Sequence, residues 1–461
     1  MFQRILTANR GEIAVRVVRA CREMGIEPVA VYSQADEEAL HVQLVEEAYC
    51  IGPARAAESY LNMDAILTVA KAANCDAIHP GYGFLSENPD FADACAAAGV
   101  AFIGPPGQVI RTMCNKAAAR KLMQRAGVPV VPGSDGAVDD AEKAKKVAES
   151  IGYPVLLKAA AGGGGRGMRR VDAPEQMDAL FQEARGEALS CFGDGEMYLE
   201  KLILHPRHIE VQILADRQGH VIHLGERECS IQRRNQKLLE ESPSKALSPQ
   251  LRQAMTDAAV AAARAAGYEN AGTVEFVLDR EDHFYFIEMN TRIQVEHPVT
   301  ELVTGLDLVK EQIRIAVGLP LSVTQEEVFF RGHAIECRVN AEDPAHDFRP
   351  SPGTVGFLHL PGGFGVRVDS GLYPGCELTP WYDSLAAKII VYAPTRLEAI
   401  RRMRRSLEEL VIEGPVTNTD LLHQILYCPD FIRGSYDTGF LEEHLDTLLA
   451  WSGSGEEDEG A

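Results

Sequence analysis

Two glutamates that oppose each other across a short hairpin constrain this chain more than any other feature. They lie in Gly272–Glu301, GTVEFVLDREDHFYFIEMNTRIQVEHPVTE. Thr273–Asp279 and Phe284–Asn290 are rich in β-branched and aromatic residues, and Arg280-Glu281-Asp282-His283 between them is a polar four-residue loop. That loop pairs Asp279 with Phe284 and sets Glu275 directly opposite Glu288. Like charges facing each other at roughly 5 Å destabilise a sheet unless a positive group lies between them. A divalent cation is the simplest remedy. Asn290, two residues beyond Glu288, adds a neutral oxygen on the same face, and an oxygen-only donor set suits Mg²⁺ or Mn²⁺. A register slip of one residue would instead turn one glutamate to solvent.

Beyond the hairpin, Arg292, Gln294 and Glu296 alternate and share a face if Thr291–Glu296 stays extended. A guanidinium fork fits a planar oxyanion, and a nearby glutamate could take its proton. The alternative is a solvated polar strand. EMNTRIQVEHPVTE resembles the signature of biotin carboxylases within the ATP-grasp family, and the likeness extends from NRGEIA near residue 10 to YDS at 382–384. The resemblance implies Glu275, Glu288 and Asn290 as metal ligands, two ions being expected. It implies Lys237, Arg292, Gln294, Val295 and Glu296 around bicarbonate, with Glu296 as base. The expected fold is α/β (α+β overall): an N-terminal open parallel α/β sheet domain, an ATP-grasp domain with a mobile lid, and a C-terminal mixed β/α domain.

At 461 residues, with 46% apolar and 24% charged residues, the chain suits a soluble protein of about three domains. A net charge of −22 argues against nucleic acid or an anionic membrane as partner. No apolar run reaches the roughly 18 residues of a membrane span, and Gln3, Arg4, Asn9 and Arg10 interrupt any signal-peptide core. A cytoplasmic location is expected. The ten cysteines show no zinc-type spacing, so reduced thiols are the default.

Taken in order, strand Phe2–Ala8, helix Glu12–Met24 and strand Pro28–Tyr32 make a βαβ start. Its turn lacks G-x-G-x-x-G, which argues against a dinucleotide enzyme. Helix Met63–Ala73, strand Ala77–His79, helix Pro89–Ala98 and strand Ala101–Ile103 continue an open parallel sheet to about residue 113. HPGYGFLSEN at 79–88 follows a strand, where such sheets bind ligands, although it also reads as a glycine-permitted turn. It resembles the biotin carboxylase motif, which implies Tyr82 and Gly83 at biotin and Glu87 at the border of the site.

The second unit spans 114–330, with the lid at about 131–203. Ala161–Met168, AGGGGRGM, has no G-K-[ST] and is not a Walker loop. It resembles the ATP-grasp lid, with Ala161 where the family more often has glycine. The resemblance implies phosphate contacts from Lys116, Lys158, Gly163, Gly164 and Gly165. It further implies Glu200, Lys201 and Ile203 at adenine, His208 near the ribose and Gln232 at the nucleotide. Glu226–Glu241, ERECSIQRRNQKLLEE, reads as a solvated helix face or as the positive cluster an acidic protein needs for anions. It resembles the family segment that places Lys237 at bicarbonate.

The third unit, 331–450, opens with RGHAIECRVNAEDP, where the family likeness implies that Arg338 reaches the hairpin site to stabilise the biotin enolate. Further strands are expected at Pro361–Asp369 and Trp381–Tyr392, a helix at Leu397–Leu410, and a disordered acidic tail over 451–461. The implied reaction is MgATP- and bicarbonate-dependent carboxylation of biotin on a separate biotin carboxyl carrier protein that also serves carboxyltransferase subunits. The chain ends before any Met-Lys-Met carrier element, so a free-standing subunit of acetyl-CoA carboxylase in fatty acid biosynthesis is expected. Arg16, Arg19 and Glu23, with Phe364 and Arg367, match the family's homodimer contact. The rivals are an ATP-grasp ligase for another carboxylate, the biotin carboxylase subunit of another carboxylase, and a silent nucleotide-binding module.

Overall fold

Alternation of buried strands with amphipathic helices builds the first unit. β1 (Arg4–Thr7), α1 (Gly11–Glu23), β2 (Glu27–Tyr32), β3 (Glu47–Cys50), β4 (Ala77–His79) and β5 (Ala101–Phe102) form a parallel sheet ordered β3-β2-β1-β4-β5. Strand order reverses between β1 and β4, so their carboxyl ends open the crevice where such sheets take ligands. The HPGYGF turn sits at that crevice. Asn9 Nδ2 donates to the carbonyls of Pro80 at 2.7 Å and Tyr82 at 2.8 Å. Gly81 has φ +63°, and a Cβ there would stand 2.9 Å from Asn9 Nδ2, so only glycine keeps this contact.

In the computed structural model, residues 1–159 and 167–453 are described. The expected glycine lid, including Gly163, Gly164 and Gly165, lies outside them except for Gly167 and Met168. What flanks it is a small antiparallel sheet, β6 (Val155–Ala159), β7 (Met168–Val171) and β8 (Met197–Lys201), ordered β7-β6-β8. Val155, Leu157, Val171, Met197 and Leu199 bury their side chains against Ala144, Phe181 and Ala184 from two covering helices. Each large side chain so buried contributes roughly 1.5–3 kcal/mol, which gives this unit a core of its own.

The largest sheet has eight strands. It comprises β9 (Arg207–Ala215), β10 (Val221–Arg233), β11 (Gln236–Ser242), β12 (Asn270–Leu278), β13 (Phe284–Asn290), β14 (His333–Asn340), β15 (Val366–Ser370) and β16 (Leu385–Ala393). The order is β13-β12-β9-β10-β11-β14-β16-β15, so one sheet runs through residue 330 into the third unit. The charged stretch Glu226–Glu241 is therefore a hairpin, not a helix face. Arg234 and Asn235, at φ 47° and 67°, form its left-handed turn.

Three expectations need correction. Leu278, not Asp279, pairs with Phe284, and a bulge at Ile287 restores Glu275 opposite Glu288. Packing dictates this: Phe276, Leu278 and Phe286 all join the core beneath the sheet, and the extra residue turns Glu288 back to the polar face. The expected strands Pro361–Asp369 and Trp381–Tyr392 are confined to β15 and β16. The terminal helix, Phe440–Gly453, reaches into the expected tail, whose remainder lies outside the described residues.

Candidate active site

The polar face of the large sheet lines a cleft of about 1310 Å³, which Lys158 and Glu200 of the small sheet also line. Register builds its floor. Arg227 on β10 opposes Glu210 on β9, Glu210 opposes Glu275 on β12, and Glu275 opposes Glu288 on β13. Three carboxylates in one row would repel each other, and two cations offset the inner two. The fully buried Arg227 places Nε 2.5 Å from Glu210 Oε1 and also bonds Gln212, Thr273 and Thr300. Lys237 Nζ lies 2.6 Å from Glu210 Oε2, 3.2 Å from Glu275 Oε1 and 2.5 Å from Glu296 Oε1.

Burial would raise the Glu275 carboxyl, but Lys237 and His208 outweigh it and hold the group well below the usual carboxylate range. Glu288 goes the other way, pushed up by burial and then by the Glu275 charge, with Lys116 Nζ at 3.6 Å and His208 in partial compensation. An ionised glutamate beside one resisting ionisation is what a bound divalent cation would relieve. Asn290 sits beside the pair, its Nδ2 donating to Glu275 Oε1 at 2.7 Å, and its Oδ1 is the neutral oxygen it can offer, so the residues fit an oxygen-ligated metal.

Thr291–Glu296 is not an extended strand. β13 ends at Asn290, and α2 (His297–Thr304) begins after Glu296, with Pro298 in its first turn. The expected convergence nonetheless occurs through the turn. Arg292 Nη1 donates to Gln294 Oε1 at 3.0 Å, and Gln294 Nε2 to Glu275 Oε1 at 3.2 Å. Glu87, from the first unit, fixes Arg292 Nε at 2.9 Å and accepts from the Thr291 N–H at 3.0 Å. Glu296 does not cap the helix with its side chain. Its Oε1 faces Lys237, and its Oε2 faces Arg338 Nη2 at 2.9 Å. Burial would raise this carboxyl too, yet Lys237, Arg338 and Arg227 drive it well below its ordinary value. It is a carboxylate in the resting site.

The remaining expected residues divide. Lys158 Nζ is 2.5 Å from Glu200 Oε2, and Ile203 and Gln232 line the cleft. Lys201 turns its ammonium away to the carbonyls of Gly152 and Tyr153, both at 2.9 Å. His208 Nε2 stands 2.9 Å from Glu275 Oε2. Tyr82 and Gly83 line the cleft, and the Tyr82 hydroxyl donates to Glu12. The Val295 carbonyl accepts from Lys388 Nζ at 2.8 Å. Sequence reasoning missed Glu210, Arg227, Glu240 and Lys388. Only Glu210 had a readable signal, because it alternates with His208 and Gln212 on one strand face.

Residues 1–110 match the family described as biotin carboxylase, N-terminal domain; 115–324 match the ATP-binding domain of the carbamoyl-phosphate synthase L chain; and 336–443 match the biotin carboxylase C-terminal domain. The chain is 57% identical to a biotin carboxylase of Nostoc sp., over 96% of this chain and 99% of that one. It is 54% identical to a pyruvate carboxylase subunit of Methanothermobacter thermautotrophicus, over 96% and 90%. Among solved structures, the biotin carboxylase domain dimer of Hydrogenobacter thermophilus 2-oxoglutarate carboxylase, in complex with MgADP, ADP and bicarbonate, superposes with a TM-score of 0.92 at 52% identity, covering 97% and 99% of the two chains. A biotin carboxylase from Campylobacter jejuni gives 0.93 at 50%, covering 96% and 99%. With all three of its units matched and its polar row set in an ATP-grasp cleft, the chain belongs to the biotin carboxylase family of ATP-dependent ligases.

Proposed function

We propose that this cleft carboxylates biotin carried on a biotin carboxyl carrier protein, using ATP and bicarbonate, as the first half-reaction of acetyl-CoA carboxylase. The observation that carries the reading is Glu296, ionised and held between Lys237 and Arg338 at the end of a row of carboxylates. Arg292, Gln294, the Val295 backbone and Lys237 bind bicarbonate. Glu296 removes its proton, so that a bicarbonate oxygen bonds to the γ-phosphorus while the bond to ADP breaks, giving carboxyphosphate. The carboxyl group then passes to N1′ of biotin, seated by Tyr82 and Gly83, as its bond to the phosphate oxygen breaks and the departing phosphate takes the N1′ proton. Arg338 stabilises the charge on the ureido oxygen.

Lys116, Lys158 and the glycines 163–165 hold the nucleotide phosphates in this reading, Glu200, Lys201 and Ile203 the adenine, His208 the ribose and Gln232 the nucleotide edge. Glu275, Glu288 and Asn290 would hold Mg²⁺ or Mn²⁺, which screens phosphate charge when bound. A cytoplasmic homodimer working with carboxyltransferase subunits completes the proposal; among the described residues no helix is long and apolar enough to cross a membrane. Membership of a pyruvate or 2-oxoglutarate carboxylase is the second reading, favoured by relatives of those names at 54% and 52% identity.

The test is ADP release with bicarbonate and free biotin each present or absent. Bicarbonate-dependent turnover that biotin stimulates is expected; turnover that responds instead to another carboxylate would overturn the assignment. Identifying the acceptor that the co-purifying carrier and transferase carboxylate separates acetyl-CoA from pyruvate or 2-oxoglutarate.

A further inference from the structure

Arg338 does not meet Glu296 alone. Its Nη2 also forms a close ion pair with Glu240 Oε1, and Glu240 is completely buried on β11. Both pairs use the same nitrogen, while Arg338 Nε is buried with no hydrogen-bond partner among the described residues. The guanidinium is therefore held at one corner by two carboxylates and, with Nε buried, has only its Nη1 amino group left for the cleft that the residue lines. Behind it, Glu240 stands directly across the strand pair from Glu336 on β14, also fully buried; among the described residues neither carboxyl has an oxygen in a hydrogen bond of ordinary geometry, and Glu240 rests on its ion pair with Arg338. Other groups around Glu240 are Lys237 on β11, Cys229 on β10, Cys337 on β14 and Glu296 at the start of α2; Lys388 on β16 serves Glu336. Two adjacent buried carboxyls that face each other across a strand pair cannot both ionise cheaply, even with Arg338 acting on both and Lys237 and Lys388 nearby.

We propose that Glu240 is a positioning residue for the carboxylation half-reaction: as a carboxylate it anchors Arg338 against Glu296 and aims the free guanidinium donors at the biotin oxygen, and as a neutral acid it releases them. The inference rests on the proposed function above. Burial pushes the Glu240 carboxyl up to about 7, with Arg338 opposing and Glu296 adding to the shift, so the anchor changes state within the working pH range. Glu336 is driven well above the carboxylate range, first by burial, and stays protonated beside it. Glu240 is therefore ionised above about pH 7, and carboxylation should fall with acid as it takes up a proton.

The experiment measures carboxylation of free biotin and biotin-independent, bicarbonate-dependent ATP hydrolysis from pH 6 to 9 in wild type, Glu240→Gln and Glu240→Asp. For Glu240→Gln the expectation is a loss of about ten- to a hundredfold in carboxylation at pH 8, a much smaller loss in ATP hydrolysis, and disappearance of the acid limb near pH 7. Melting temperature at pH 8 should be no lower than wild type, because a carboxyl whose folded value is raised costs stability once ionised. Glu240→Asp should keep the limb at reduced rate. An acid limb that persists in Glu240→Gln overturns the proposal, as do parallel losses of both activities with a lower melting temperature, which mark a packing role. Wild-type enzyme that fails to carboxylate biotin would instead sink the functional reading itself.

Discussion

Glu288 lies opposite Glu275 only because β13 carries a bulge at Ile287; without that extra residue, Ile287 would occupy the place across from Glu275 and Glu288 would turn toward the core. The pairing is thus held by a core of phenylalanines on one face and used for charge on the other. Glu288→Lys should abolish ATPase activity with the fold intact, since Glu288 is partly exposed and the substitution would place a fixed cation at the proposed metal position. Glu288→Gln keeps an oxygen donor and should weaken metal dependence less. A normal Mg²⁺ titration in Glu288→Lys would show that the pair does not hold the ion.

Glu241, fully buried beside Glu240 on β11, offers a separate test on stability. Glu241 is bonded by His333 Nε2 at 2.6 Å and by Arg396 Nε at 2.6 Å. Burial opposes ionisation, yet His333 and Arg396 lower its carboxyl from 4.5 to about 2. A depressed value contributes stability above the unfolded value that is lost as pH falls through the folded one, here between about 4.5 and 2. Glu241→Gln should cost about 3 kcal/mol in chemical denaturation at pH 7, and the difference from wild type should shrink toward pH 3. A difference independent of pH would place the loss in packing.

Two of the arginines expected at the dimer face also make ion pairs within the chain. Arg16 is buried, with Nη2 2.9 Å from Glu301 and 2.7 Å from Asp307, and Arg367 Nη1 meets the other Glu301 oxygen at 2.6 Å. Those arginines belong to internal ion pairs, whereas Arg19 is exposed and Phe364 is 88% exposed. Arg19→Glu is accordingly the cleaner probe of a homodimer, with light scattering expected to show a shift toward monomer at unchanged melting temperature. An unchanged mass would remove α1 from the contact.

The same residues show what a sequence makes legible. Alternation revealed the hairpin and its glutamates, because a polar side chain recurring every second residue in an apolar strand declares a face. It could not reveal the bulge, which the fit of Phe276 and Phe286 in the core decides. Helix Pro249–Ala266 is absent from the expectations although Ser248 caps it and Gly267 ends it, because its many alanines dilute the apolar stripe. Arg227, Glu240 and Lys388 were hidden for a different reason. Each is a charge whose meaning depends on a partner on another strand, and Arg227 reads in sequence as one more member of a charged run.

Glu296 and Arg338, joined at 2.9 Å, are proposed to serve different steps. Losing Glu296 as base should cost roughly two to four orders of magnitude in turnover while ATP still binds. In the proposed reaction Arg338 acts on charge that develops on biotin after carboxyphosphate has formed, an interaction expected to supply about 3 kcal/mol. The deciding measurement is the ratio of biotin carboxylation to biotin-independent, bicarbonate-dependent ATP hydrolysis in Arg338→Ala. The account predicts that carboxylation falls far more than hydrolysis, by a factor on the order of a hundred. Equal loss of both activities, with reduced thermal stability, would contradict it and make Arg338 an ion pair that only holds the third unit against the sheet.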